Sequence, residues 1–245
     1  MKNTKTTFFV LLCSLGMLVS SCEKDDLIPE VPEPTPTPIN TPNGSTTPVP
    51  TNADGVMWAI KSTSSVQGFT IEIGTAVGIF MNGTTDLVNV GTVSVNSNNL
   101  SVASNNAYTF TPSQTMPTGL DFSSTEWAAT GANGHAAFTY DASSLAFPSG
   151  SAITSSATVT KANGYTLTCS TVSGADSTLF MVGNVSKTIS GSANSCTFSS
   201  SELSGLSAGT SVVMIVPYKL MQATVNGKNY YFGKERVNQL AVTIE

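Results

Sequence analysis

From residue 54 to the carboxyl end, apolar and polar residues alternate with a period of two, and no window carries an apolar stripe at helical spacing. That pattern predicts β-strands. The first series covers residues 56–61, 69–73, 77–81, 91–95, 100–102, 108–111, 127–130 and 137–140, separated by clusters of Asn, Gly, Ser and Pro that break strands. Between Val93 and Phe110 the alternation is clean enough to predict a meander that buries one face and wets the other.

A second series begins near Ile153: Val159, Tyr165-Leu167-Cys169, Leu179-Met181, Val185, Cys196-Phe198, Val212-Met214-Val216 and Leu240-Val242-Ile244. About seven strands in under a hundred residues is the count of an immunoglobulin-like sandwich. Leu203-Ser204-Gly205-Leu206-Ser207-Ala208-Gly209-Thr210, followed by Val212, Met214 and Val216, resembles the turn that leads into the sixth strand of fibronectin type III domains. Ala208 and Val212 stand where that family has Pro and Tyr, so the resemblance implies an immunoglobulin-like topology without the tyrosine corner. The expected fold is all-β, with two immunoglobulin-like antiparallel β-sandwich domains, 54–151 and 152–245.

The amino end carries different information. Lys2 and Lys5 precede an uncharged apolar run over 8–19, too short to span a bilayer, which reads as a secretion signal over 1–21. It ends in Val19-Ser20-Ser21-Cys22, which resembles the bacterial lipobox. The resemblance implies that Cys22 becomes the first mature residue, its thiolate taking up the lipid. Glu23-Lys24-Asp25-Asp26 resembles the acidic export signal of surface-exposed lipoproteins of Bacteroidota, in which Lys24, Asp25 and Asp26 would direct the protein to the outer membrane, facing the cell exterior. Eight of the 12 prolines then fall between Leu27 and Asn52. No core can form there, so 22–53 is expected to be a lipid anchor followed by a disordered, extended linker of up to ~100 Å.

Only 10% of the 245 residues are charged, and the net charge of -5 disfavours a nucleic-acid partner. Residues 54–151 sum to -5, with one Lys against six acids, and 152–245 to +2, with six bases against four acids.

Candidate chemistry is sparse. Cys169 and Cys196 are in phase with core residues, and either a disulfide or two buried thiols fits an oxidising envelope. Two Cys without a nearby His do not complete a metal shell, and no cofactor is expected. His135 is the sole imidazole and sits in a Gly-rich loop with no nucleophile elbow. Glu72, Asp86, Asp121, Glu126 and Asp141 are the carboxylates from which glycosidase chemistry would need a pair, and spacing promotes none. Trp127, Tyr140 and Tyr108 form either core or a stacking surface for sugar rings. Asp176-Ser177-Thr178 resembles the short O-glycosylation sequon of the same bacterial group, which implies modification at Ser177.

The most distinctive segment runs from Lys219 to Phe232. Asn226-Gly227 signals a type I′ hairpin, and if Pro217 ends the preceding strand the ribbon projects, presenting Lys219, Lys228, Tyr230, Tyr231 and Phe232 as a binding tip. The alternative is that the ribbon folds back into the sheet. The expected function is that of a cell-surface lipoprotein, not an enzyme, which holds the membrane through its lipid and acts by noncatalytic binding or adhesion on a glycan or protein ligand. A polysaccharide-binding accessory of nutrient uptake and a pilin-like subunit are the rivals.

Overall fold

The computed structural model describes residues 49–66, 69–83 and 86–245. Among them the strands are β1 (Gly55–Val66), β2 (Phe69–Phe80), β3 (Val93–Val95), β4 (Asn98–Asn99), β5 (Ser101–Val102), β6 (Tyr108–Phe110), β7 (Glu126–Ala129), β8 (Phe138–Asp141) and β9 (Ser149–Gly150) in the first half. The second half holds β10 (Thr158–Val159), β11 (Tyr165–Thr168), β12 (Val172–Ser173), β13 (Ser177–Val182), β14 (Val185–Ser190), β15 (Ser195–Phe198), β16 (Gly209–Val225) and β17 (Lys228–Ile244). One short helix, α1 (Ser200–Leu203), carries a capping box between Ser199 and Glu202. The protein is all-β, as the alternation predicts.

One large sheet runs in the order β14-β13-β16-β17-β1-β2-β6-β5, with β10 also pairing β17. Its pairings are antiparallel except that β1 and β10 both run parallel to β17. Strands β16 and β17, 17 residues each, form a single hairpin closed at Asn226 (φ 51°) and Gly227 (φ 78°), where positive φ at both turn residues matches the twist of the ladder. Pro217 does not end β16. The ladder to β17 skips Val216 and Pro217 and resumes in the same register at Tyr218↔Glu235, so the missing N–H costs a local bond and not the strand.

Period-two geometry assigns the faces. Tyr230, Phe232, Val242 and Ile244 share one face of β17: the first two belong to a core with Met57, Ala59, Phe80, Trp127 and Phe138, the last two to a core with Leu167, Phe180, Phe198 and Ile215. A four-stranded sheet, β4-β3-β7-β8, supplies Val93, Val95, Trp127, Ala129 and Phe138 to the first core. The β11-β15 pair and α1 supply Tyr165, Leu167, Cys196, Phe198 and Leu203 to the second. Each half is thus a sandwich, but the two share one sheet. The expected boundary between residues 151 and 152 separates the four-stranded sheet from the β11-β15 pair, but the β9-β12 pair and the large sheet both cross it, because the long hairpin contributes to both cores.

The opposite face of the large sheet carries Val56, Trp58, Ile60, Val77, Ile79, Leu179, Met181, Val216, Tyr218 and Val237 in a third cluster. Gly233 makes room for it: a Cβ there would collide with the Trp58 ring, which lies edge-on to Tyr218 at 5.8 Å between centroids. Gly233→Ala is expected to destabilise the protein by about 1–3 kcal/mol through overpacking. Phe232→Ala, which empties a site stacked on Tyr140 at 4.1 Å, should cost about 3–5 kcal/mol. Chemical denaturation measures both, and a change in either variant within experimental error would contradict this packing.

Candidate functional site

Between the two cores the shared face of the hairpin turns polar. Lys234, Arg236 and Asn238 follow Phe232 on that face of β17, Lys61 lies opposite Arg236 on β1, and Lys219 lies opposite Lys234 on β16. The segment linking the four-stranded sheet to the β11-β15 pair, with β9 in it, passes over this waist as a strap. Phe147 places its ring 5.1 Å from both the Lys61 and the Lys234 amines, the Pro148 carbonyl accepts from Arg236 Nε at 3.4 Å, and Gly150 sits against the Asn238 amide and Pro217. A Cβ at 150 would meet Asn238 Nδ2 at 2.6 Å and push that amide aside.

Four cations meet here, against one carboxylate in contact among the described residues. Glu72 bridges Lys61 at 2.7 Å and Arg236 at 2.6 Å. Burial opposes its ionisation, but the hydrogen bonds from Lys61 and Arg236 outweigh that and hold the carboxyl below its ordinary 4.5. Lys234 is only 3% exposed and forms no ion pair with any described carboxylate. Burial lowers its pKa, Asp141 pulls it back up at longer range, and Lys61 lowers it further. An amine packed on a ring, opposite another Lys and without a described carboxylate in contact, has an unfavourable electrostatic setting.

Beside this cluster a cleft of about 400 Å³ opens along β17, lined by Thr63, Ala152, Ile153 and residues 238–241. Asn238 is 5% exposed and its Nδ2 has no hydrogen-bond partner. The waist therefore combines cationic charge, an unused buried donor and an open volume. The sequence hinted at it only through Lys219, and Phe147, Lys61 and Asn238 were not legible because strand pairing and the strap bring them together from distant positions.

The predicted binding tip is corrected by the structure. Tyr230 and Phe232 are each 1% exposed and belong to the first core. The half-buried Tyr231 places its hydroxyl 2.7 Å from Asn52 Oδ1 and 3.0 Å from Gln222 Oε1, and Lys228 pairs with Asp54 at 3.0 Å. The ribbon folds back because β1 and the four-stranded sheet cover its aromatic side, and Lys219 joins the waist instead.

His135 is buried, with Nδ1 2.8 Å from the Tyr230 hydroxyl and its ring edge-on to Phe80. Burial, then Lys228, depress its pKa, while burial and Asp54 push Tyr230 up to about 12. Trp127 and Tyr108 are core, the Tyr108 hydroxyl accepting from Val90 N at 2.8 Å, and Tyr140 is stacked on Phe232, so these rings form no stacking surface. Glu126 and Asp141 face each other across β7 and β8, both exposed and away from the cleft, and Asp86 and Asp121 are exposed elsewhere.

Cys169, just past the end of β11, and Cys196, on β15, are free buried thiols offset by two positions along the ladder direction, and burial raises both pKa values. Ser177 is half-buried at the start of β13, its hydroxyl donating to the Asp176 carbonyl at 2.8 Å. Cys22, Lys24, Asp25 and Asp26 lie outside the described residues. No cluster of metal-binding side chains occurs among the described residues, and no described helix is long and apolar enough to cross a membrane. The chain matches no protein-family model, no curated protein and no solved structure.

Because Glu72 stays ionised in the fold below the pH at which the unfolded carboxyl takes up protons, its contribution is present above about pH 4.5 and lost as pH falls through the depressed value. Its side chain is 41% exposed, so solvent screening limits the contribution to about 1 kcal/mol. Glu72→Gln should be less stable at pH 7 and should lose less on acidification. Parallel stability–pH curves for wild type and variant would show that the bridge contributes nothing.

Proposed function

We propose that the protein is an outer-membrane lipoprotein, anchored through Cys22 and facing the cell exterior, that acts by noncatalytic binding of an anionic ligand at the cationic waist. The observation that carries this reading is Lys234, a residue 3% exposed with no described carboxylate in contact, flanked by Lys219, Lys61 and Arg236 in a chain where only 10% of residues are charged. An unpaired buried cation costs stability, and an anion that neutralises it recovers that cost as binding free energy. Phe147 adds an apolar wall, and Asn238 adds a directional donor.

The carboxylates support binding better than acid–base chemistry. Glu72 is fixed as an anion between two cations, and the exposed Glu126–Asp141 pair lies outside any described cleft. A polysaccharide accessory reading through ring stacking loses its support because Trp127, Tyr108 and Tyr140 are packed against other residues.

Two outcomes test the reading. Cys22→Ala should abolish acylation and release the protein from the membrane fraction, whereas unchanged partition would remove the lipoprotein assignment. Heparin and polygalacturonate, as sulfated and carboxylated probes, should bind wild type more weakly as salt rises, and Lys234→Met should lose at least about tenfold in affinity with its fold intact. Wild type that binds neither probe, or a Lys234→Met variant that binds like wild type, would end the anion-site reading.

A further inference from the structure

The ring of Phe147 lies 5.1 Å from the Lys61 amine and 5.1 Å from the Lys234 amine, so two cations on neighbouring strands converge on one uncharged group. Donors that converge on a point suit an anion. Lys61 pairs with Glu72 through an ammonium that has three donors, and Lys234 pairs with no described carboxylate, so both amines keep hydrogen bonds to give. An aromatic face attracts an ammonium without accepting a charge-assisted hydrogen bond, and an ionised oxygen in the same place would hold both amines more strongly. The ring is therefore a replaceable partner.

The strap that carries it is anchored at both ends and loose between them. On the upstream side Thr125 N donates to the Ser143 hydroxyl at 2.9 Å, Ala142 N to the Thr125 carbonyl at 2.8 Å and Leu145 N to the Ala142 carbonyl at 3.1 Å. On the downstream side β9 pairs with β12, and the Ser149 and Ser173 hydroxyls lie 2.6 Å apart. Among the described residues, the backbone of 146–148 makes one hydrogen bond, in which the Pro148 carbonyl accepts from Arg236 Nε at 3.4 Å. Pro148 has no N–H to add a second. The half-buried Phe147 ring also meets Phe122 at 5.6 Å between centroids, a contact whose loss opposes an outward turn.

We propose, on the anion-binding reading of the waist, that the Phe147 ring occupies the ligand's seat: a single oxyanion group, a sulfate ester or a carboxylate, replaces it between Lys61 and Lys234 while residues 146–148 swing outward. A lysine 3% exposed gives an anion almost no access while the strap is closed. Arg236 gives up the Pro148 carbonyl in the open state but keeps Glu72, so its charge stays compensated. The displaced ring then borders the seat as its apolar wall. Because part of the binding free energy goes into opening the strap, the wild-type site binds more weakly than its charge allows.

Calorimetric titration of the full-length protein in detergent, with a sulfated heparin disaccharide and with digalacturonate, separates the sulfate source from the carboxylate source. Phe147→Ala should bind at least one of them at least about fivefold more tightly than wild type, since removing the ring removes the closed state. That gain should vanish in Phe147→Ala/Lys234→Met, which leaves the strap loose and lacks the seat. In wild type, nuclear Overhauser contacts between the Phe147 ring and the ε-methylenes of Lys61 and Lys234 should disappear at saturation with disaccharide, a measurement that decides the matter if Phe147→Ala fails to fold. Equal or weaker binding by Phe147→Ala, a gain that persists without Lys234, or ring contacts that survive saturation would each overturn the proposal. Wild-type binding that depends on Lys234 but is not improved by Phe147→Ala keeps the anion site and removes only the covered seat. Binding by Phe147→Ala alone keeps the covered seat and ends the wild-type anion-site reading, and absence of binding in every protein that folds ends both.

Discussion

The hydrogen-bonded ladder between β16 and β17 is the interaction on which the remaining architecture depends. Its register is set at Asn226 and Gly227 and holds from Val225↔Lys228 to Gly209↔Ile244. Because side chains alternate, a slip of one residue would turn Tyr230, Phe232, Val242 and Ile244 out of both cores at once. That shared dependence fixes the register more strongly than either core would alone. It also makes the two sandwiches one cooperative structure, since no cut of the chain between them frees either from the common hairpin.

A continuous strand that serves two cores has to cross the space between them. Side chains there belong to neither apolar cluster, and the sequence fills the positions with Lys234, Arg236 and Asn238. The strap makes this tolerable in part: Phe147 lies against two amines, Pro148 accepts from Arg236, and Glu72 neutralises the Lys61–Arg236 pair. Lys219 opposite Lys234 is not offset by any described carboxylate in contact, and like charges across a ladder are unfavourable. Stability alone would favour an acid or an apolar residue at either position. Retaining two amines makes chemical sense where an anion visits.

Strand character was legible in the sequence because period-two alternation is a local property, and so was the Asn226–Gly227 turn, whose conformational demand falls on two adjacent residues. What the chain did not disclose was length. Pro217 reads as an interruption, since a proline inside a strand argues against continuation. Continuation succeeds because the register survives the lost bond and because the charged positions fall between the cores. Tyr230 and Phe232 looked available for binding for the same reason: their aromatic alternation is equally compatible with a free ribbon and with a strand covered by β1 and the four-stranded sheet. Deciding between these requires knowledge of the parallel β1–β17 pairing, a contact of more than 170 residues' separation that no local pattern encodes.

The vacancy along β17 is a consequence of the same topology. β1 belongs to the first sandwich and leaves β17 after Thr63, where it continues only with β2; β10 belongs to the second and reaches β17 only at Thr158. Two separate strands must flank one long strand, and they come from segments nearly a hundred positions apart, so nothing in the chain obliges them to meet. The unfilled stretch falls at the waist, where neither core supplies apolar cover and the strap supplies only Ala152 and Ile153. An open edge and an excess of positive charge are usually separate liabilities. Here the sharing of one hairpin by two cores places them side by side, and the cations discourage pairing with another copy of the same basic edge.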